Sequence, residues 1–296
     1  MLRTGRAALP ILLLAAVPAV AAEPPAPPPP PPLVTYRMAE SWKSLSPRGE
    51  RVRALSGTVA VAGDRMRWEI SHGRFPRSTA SLSIAGRDGV ELVDLEARSS
   101  GRSTAQALRG LFLPGAAGEP GLASTAVREL AAEVRRDGDG PAFEGRPTAR
   151  YRLTLSYRID VATPGRVTSV KTRSTGTLLA VDAGLPEPTT PAADLVRLVP
   201  ARGEALEAIE SELAKVRGLV VRARVESESE RAGAVVGGAG TAEEPVPLKS
   251  TAVSTREVSG LSVRPFAPSD AALFGVPDDV RSVAWERLVL SEAGLP

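Results

Sequence analysis

The chain has 296 residues, with 37 lysines and arginines against 34 aspartates and glutamates, one histidine (His72) and no cysteine. Without cysteine it can form no disulfide, thiol nucleophile, thiolate-bound zinc site or thiolate-bound iron–sulfur cluster. One histidine excludes a Ser-His-Asp triad unless His72 is the base. The basic residues are scattered and aromatic residues are few, which disfavours nucleic acid as a partner.

Residues 1–22 have the pattern of a secretory signal peptide. Arg3 and Arg6 begin it, an apolar run follows over 9–22, and small residues occupy the cleavage positions. The run is shorter than the roughly 20 residues that span a bilayer as a helix, and no cysteine is present to carry a lipid anchor. We therefore predict a cleaved leader, no transmembrane span after cleavage, and a periplasmic or secreted protein.

Residues 23–32 form a proline tract that predicts an extended polyproline II spacer. The alternative is a stiff stalk that binds a proline-recognising partner, although the tract lacks the flanking basic residues that would orient it. A single domain is predicted over 33–296.

The first third of this domain predicts an antiparallel meander. Residues 33–45 alternate weakly and fit a strand or a short helix. Residues 56–70 predict a hairpin around a Gly63-Asp64 turn, and 82–96 predict a second hairpin.

The middle of the chain predicts two helices followed by the strongest hairpin. Residues 104–112 and 123–136 carry apolar side chains at helical spacing, and the Gly- and Pro-containing run 137–141 breaks the second helix. Residues 148–161 and 167–181 alternate apolar and polar residues, which predicts two paired strands.

The last third predicts the best helix, over 194–216, because Leu206, Ile209, Leu213 and Val216 recur at three and four residues before Gly218. Two further strands are predicted at 219–226 and 248–263, around a mobile loop at 231–247. A weak strand or helix follows near 283–290. The fold class predicted from these elements is α+β with a large antiparallel sheet.

No motif in the chain carries a recognisable reaction. The glycines at 237–240 lack the following helix of a dinucleotide loop, and 137–144 fails the spacing of a calcium loop. His72 follows a hairpin and reads as a surface side chain. The acidic pairs read as solvated strand residues rather than glycosidase carboxylates; they are Asp94 with Glu96 and Glu226 with Glu228. We predict no catalytic residues, no metal and no cofactor, and thus no enzyme.

Several short segments resemble the exported carriers of outer-membrane lipoproteins and related secreted bacterial domains. They are 63–69, with Arg67-Trp68-Glu69, the Asp88-Gly89 hairpin of 88–96, and the segments 145–151, 215–219 and 274–277. The resemblance implies a curved antiparallel half-barrel whose concave face is covered by helices. It also implies that the hollow takes acyl chains and that Arg67, which precedes Trp68, helps to hold it closed. The alternative is that Arg67 and Trp68 are ordinary strand residues.

The sequence therefore predicts an exported, non-enzymatic protein that binds a lipid or other apolar ligand between sheet and helices in the cell envelope. Arg67 and Trp68 are the predicted ligand-binding residues. The alternative is an interaction module that docks an envelope protein through a sheet edge or through the proline tract. A carboxylate-based hydrolase is a third hypothesis, and it lacks a recognised catalytic set.

Overall fold

The structure is a computed structural model that describes residues 31–47, 49–73, 78–86, 89–104, 124–163, 166–183, 204–235 and 248–288. All of them belong to one unit, Pro31–Pro296. The predicted leader and almost all of the proline tract lie outside the described residues, as does the predicted helix at 104–112 beyond Thr104.

Strands account for most of the described residues. They are β1 (Pro32–Ser46), β2 (Gly49–Ala62), β3 (Arg65–His72), β4 (Leu82–Gly86), β5 (Gly89–Asp94), β6 (Ser99–Ser103), β7 (Ser124–Phe143), β8 (Arg146–Thr163), β9 (Arg166–Val181), β10 (Leu219–Val235), β11 (Leu248–Pro265) and β12 (Arg281–Ser282). The helices are α1 (Glu204–Leu213) and two short 3-10 helices, Pro268–Phe274 and Trp285–Leu288.

The strands form one open sheet of twelve, in the order β12-β6-β5-β4-β3-β2-β1-β11-β10-β9-β8-β7. Among the described strands, β12 and β6 alone pair in parallel. After β6 the chain reaches the far edge at β7 and returns strand by strand, until β11 pairs with β1 near the centre. Strands β2 and β1 therefore lie between the short strands β3–β6 and β12 and the long strands β7–β11.

The predicted α+β class, with helices covering the concave face, is wrong. Among the described residues the sheet dominates, and α1 is the one α-helix that lies on the long strands. The main error concerns the predicted helix at 123–136, because residues 124–136 form most of β7.

Irregular pairing explains the false helical pattern of β7. Its register with β8 shifts between Arg128 and Ala131, where Glu129 has a φ of 53°. The bulge inserts an extra residue. The apolar side chains of Val127, Leu130, Ala132 and Val134, which all contact the cluster beneath α1, therefore recur first after three residues and then after two. A bulged strand thus imitates the spacing of a helix.

The predicted hairpins are confirmed. β2 and β3 pair around Gly63-Asp64, β4 pairs with β5, and β8 pairs with β9. The strand pair around 231–247 is also confirmed as β10 and β11, but β10 continues to Val235, into the predicted loop. Residues 236–247 lie outside the described residues. Residues 33–45 form a strand, and the weak element near 283–290 contains the 3-10 helix Trp285–Leu288.

The apolar core has two large parts. One joins side chains of β1, β2, β3 and β11 and includes Val34, Tyr36, Val59 and Trp68. The other lies beneath α1 and joins side chains of β7, β8, β9 and β10. Helix α1 packs on this second part of the core.

Candidate functional site

A pocket of about 160 Å³ lies between α1 and the long strands. Its walls come from α1, β7, β8, β9, β10, β11 and β1, and the lining residues are Trp42, Ala132, Leu153, Leu155, Tyr157, Thr172, Ser174, Ile209, Glu212, Leu213, Val225, Ser227, Ser229 and Ala252. An apolar cavity of about 150 Å³ in another protein admits benzene. The volume here therefore suits a small ring or the end of one acyl chain.

Strand register brings distant parts of the chain to the pocket. Residues directly opposite each other on antiparallel strands project from the same face. Trp42 lies opposite Ser254, Ser254 opposite Val225, Val225 opposite Gly176, and Gly176 opposite Leu153. This row crosses five strands, so Trp42 reaches a pocket whose other lining residues lie between Ala132 and Ala252 in the sequence.

Gly176 leaves room in this row for the side chain of Val225. A Cβ at this position would lie 2.9 Å from Cγ2 of Val225 and 3.1 Å from the carbonyl oxygen of Arg224. Both contacts are closer than ordinary van der Waals packing allows. The glycine therefore lets Val225 sit beside it on the pocket floor without displacement.

Helix α1 covers the pocket through an apolar stripe. Ile209 and Leu213 are each 3% exposed and line the pocket, as their spacing of four residues predicts. The predicted helix at 194–216 is confirmed over Glu204–Leu213, whereas 194–203 lie outside the described residues. The chain then turns at Gly218, whose φ of +89° is the left-handed region that favours glycine.

Glu212 fastens α1 to the edge of the sheet. One carboxylate oxygen, Oε2, accepts a hydrogen bond of 2.8 Å from the backbone N–H of Val134 on β7, and the other, Oε1, accepts one of 2.5 Å from Nζ of Lys215. These two donors, Lys215 first, lower the pKa of Glu212. The side chain is therefore an ionised carboxylate at neutral pH, and it stands at the wall of the pocket.

A set of hydroxyl groups forms the opposite wall, which we call the hydroxyl wall: Tyr157, Thr172, Ser174, Ser227 and Ser229. Ser174 Oγ lies 2.8 Å from Ser227 Oγ, and Thr172 Oγ1 lies 3.0 Å from Ser229 Oγ. Tyr157 is hydrogen-bonded to Thr172, and burial nevertheless raises the pKa of its phenol. The pocket thus combines an apolar wall with a neutral polar one.

The predicted ligand-binding residues lie elsewhere on the sheet. Successive strand residues point to opposite faces. Trp68 is 2% exposed and packs in the core with Val59 and Tyr36. Arg67 donates a hydrogen bond of 3.1 Å to the carbonyl oxygen of Leu273 and forms an ion pair of 2.7 Å with Glu69.

Neither predicted residue lines the pocket. Trp68 lies opposite Val59, and Val59 lies opposite Tyr36 on β1. Tyr36 precedes the pocket residue Trp42 by six positions on the same strand, a distance of about 20 Å. A ligand-binding role for Arg67 and Trp68 stays a prediction.

The acidic pairs, predicted as solvated strand residues, do not line the pocket; Glu96, Glu226 and Glu228 are exposed as predicted, whereas Asp94 is buried. Asp94 accepts a hydrogen bond of 2.8 Å from the backbone N–H of Ala97, which makes it a turn-forming residue, and Glu226 forms an ion pair with Arg224. His72 is exposed at the end of β3, as predicted. Among the described residues no three His, Asp or Glu side chains come together in a group that could hold a metal ion.

Sequence reasoning missed the hydroxyl wall. In β10, Ser227 and Ser229 alternate with Glu226, Glu228 and Glu230, which places the small neutral residues on the face of Val225 and the charges on the other. This separation of hydroxyl and charge by strand parity was the available signal. A sequence alone does not distinguish a serine that faces a pocket from one that faces water.

Comparisons with known proteins add little. No family model matches the chain, and no curated protein matches it. Among solved structures it is similar to a domain assigned to outer membrane lipoprotein sorting from Vibrio parahaemolyticus, with 8% identity and a TM-score of 0.27 over 82% of this chain and 91% of that one.

In the part of the chain that the structure describes, no helix has both the length and the apolar character needed to cross a membrane.

Proposed function

We propose that this protein binds an apolar ligand, such as the end of an acyl chain, in the pocket beneath α1. The single observation that carries the proposal is the 160 Å³ pocket whose apolar lining includes Leu153, Leu155, Leu213 and Val225. A filled interior would leave no such space, because protein cores pack as densely as organic crystals. The role is binding and not catalysis. From the predicted leader, the location is periplasmic or extracellular.

The size of the pocket sets the strength of its apolar contribution. Burying a benzene-sized group resembles burying a Leu or Phe side chain, which stabilises by about 2–3 kcal/mol. Alone, this gives a dissociation constant no tighter than about millimolar. A natural ligand that binds more tightly must also contact the polar wall or the surface around the pocket.

Two measurements test the proposal. Native mass spectrometry of the full chain purified from its own cell envelope should reveal a co-purifying lipid or other apolar molecule. Titration with toluene, followed by NMR, should shift resonances of α1 and of β8–β10 and leave those of β4 and β5 in place. Absence of both a co-purifying molecule and a toluene response would refute the proposal.

The second candidate, docking of an envelope protein through a sheet edge, finds little support at β7. This edge strand has register shifts at three places, and Pro141 lies within the third. Bulges and prolines are the means by which natural sheets prevent a further strand from pairing. Glu212 already accepts the hydrogen bond that the N–H of Val134 would offer to such a strand. Docking through the proline tract is tested by a pull-down that deletion of residues 23–31 should abolish.

A further inference from the structure

The hydroxyl wall has hydrogen-bonding capacity to spare. Ser174 and Ser227 bring two hydroxyl protons to their one mutual bond. Each hydroxyl also accepts through two lone pairs. The Ser174–Ser227 pair can therefore donate one further hydrogen bond, and accept others, without breaking the bond it already makes.

The same pocket offers no cation to an anion. None of the residues that line the described pocket is a lysine, arginine or histidine. The nearby ammonium of Lys215 is bound to Glu212, and the guanidinium of Arg256 is paired with the carboxylate of Glu40, its direct opposite on β1. The one charged lining residue is the carboxylate of Glu212, which repels anions.

We propose that the pocket selects a neutral ligand in which an uncharged oxygen adjoins the apolar group, as in an acyl ester or an alcohol, and rejects free carboxylates. This inference rests on the proposed function and names the ligand class for the same site. An ester carbonyl or alcohol hydroxyl can accept or donate at Ser174 and Ser227 while its apolar part contacts Leu155 and Val225. A carboxylate there would lose its hydration with no cation in return.

The experiment compares three ligands of one ring size, toluene, benzyl alcohol and benzoate, titrated into the full chain at about pH 7. The test variant is the double substitution Ser174→Ala with Ser227→Ala. The matched control is Thr154→Ala with Thr175→Ala, an exposed hydroxyl pair directly opposed on the other face of β8 and β9. Urea unfolding of each variant establishes that it is folded.

We expect benzoate to bind wild type at least tenfold more weakly than benzyl alcohol. A neutral hydrogen bond contributes about 0.5–1.5 kcal/mol, so the test variant should weaken benzyl alcohol binding about fivefold and change toluene binding less than twofold. The control variant should bind all three ligands as wild type does. If the test variant fails to fold, the comparison of benzoate with benzyl alcohol on wild type decides.

The two proposals fail in different ways. If toluene does not bind wild type and no apolar molecule co-purifies with it, the proposed function is wrong, and this inference falls with it. If toluene binds but benzoate binds as well as benzyl alcohol, or the test variant leaves benzyl alcohol binding unchanged, the pocket has no preference for neutral oxygen and only the present inference is overturned.

Discussion

Filling the pocket from the protein side should remove ligand binding and at the same time stabilise the fold. Ala132 on β7 lines the pocket and lies opposite Leu155, which also lines it. Substitution Ala132→Leu places three further carbon atoms in the space beneath α1. Its neighbour Ala131 is exposed and lies opposite Ser156, on the other face of the strand, so Ala131→Leu is the matched control.

The magnitude follows from the size of the pocket. At about 30 Å³ per added carbon, the volume that one water molecule takes in the liquid, the new side chain occupies about 90 Å³. This is more than half of the 160 Å³ available. Each buried methylene contributes about 0.8 kcal/mol, so Ala132→Leu should raise the free energy of unfolding by up to about 2 kcal/mol.

Urea unfolding and toluene titration together check this prediction. Ala132→Leu should shift the unfolding midpoint upward and weaken toluene binding at least tenfold, whereas Ala131→Leu should change neither beyond a few tenths of a kcal/mol. A variant that is destabilised by more than about 1 kcal/mol and still binds toluene would show that the space is not where we place it.

Three further predictions concern the same region. Leu178→Ala, at a fully buried position of the cluster beneath α1, should lower the free energy of unfolding by about 3 kcal/mol; a loss below 1 kcal/mol would contradict the described packing. Trp42→Phe should abolish any change in tryptophan emission on toluene binding, and Trp68→Phe should retain it, since Trp42 alone of the two lines the pocket. Glu212 has a lowered pKa, so its ionised form stabilises the fold above the unfolded-state pKa of about 4.3, and this stabilisation is lost as pH falls through the lower folded-state pKa. Between about pH 5 and pH 3 the urea midpoint should therefore fall further for wild type than for Glu212→Gln, and equal falls would refute the role of the carboxylate.

The sequence predicts those strands whose alternation is uninterrupted. In β8 every second residue from position 151 to 157 is apolar, and all four of these side chains are buried: Tyr151, Leu153, Leu155 and Tyr157. The alternation therefore predicts the buried face of this strand correctly. In β7 the same reading fails because a bulge at Glu129 changes the parity of the apolar residues. A single sequence carries no mark of such a bulge, since its energy comes from pairing with β8.

The pocket was harder to predict than the fold. The resemblance implies a role for Arg67 and Trp68 on β3. The pocket is lined instead by residues that strand register brings together, such as Trp42 on β1 and Val225 on β10. Their alignment depends on β11 lying between the two strands. Local pattern cannot supply this order, because it follows from the return of the chain from the far edge of the sheet.

Small side chains, and not a shortage of apolar ones, keep the pocket open. Ala132, Ser174, Ser227, Ser229 and Ala252 stand at positions facing α1, where valine or leucine would fill the space and strengthen the core. The chain places large apolar residues at neighbouring inward positions, as at Leu178. A sequence selected for stability alone would place large apolar residues at these positions too. A local departure from good packing is expected where a site serves function. The predicted stabilisation of Ala132→Leu therefore measures the stability that the protein forgoes by keeping this space open.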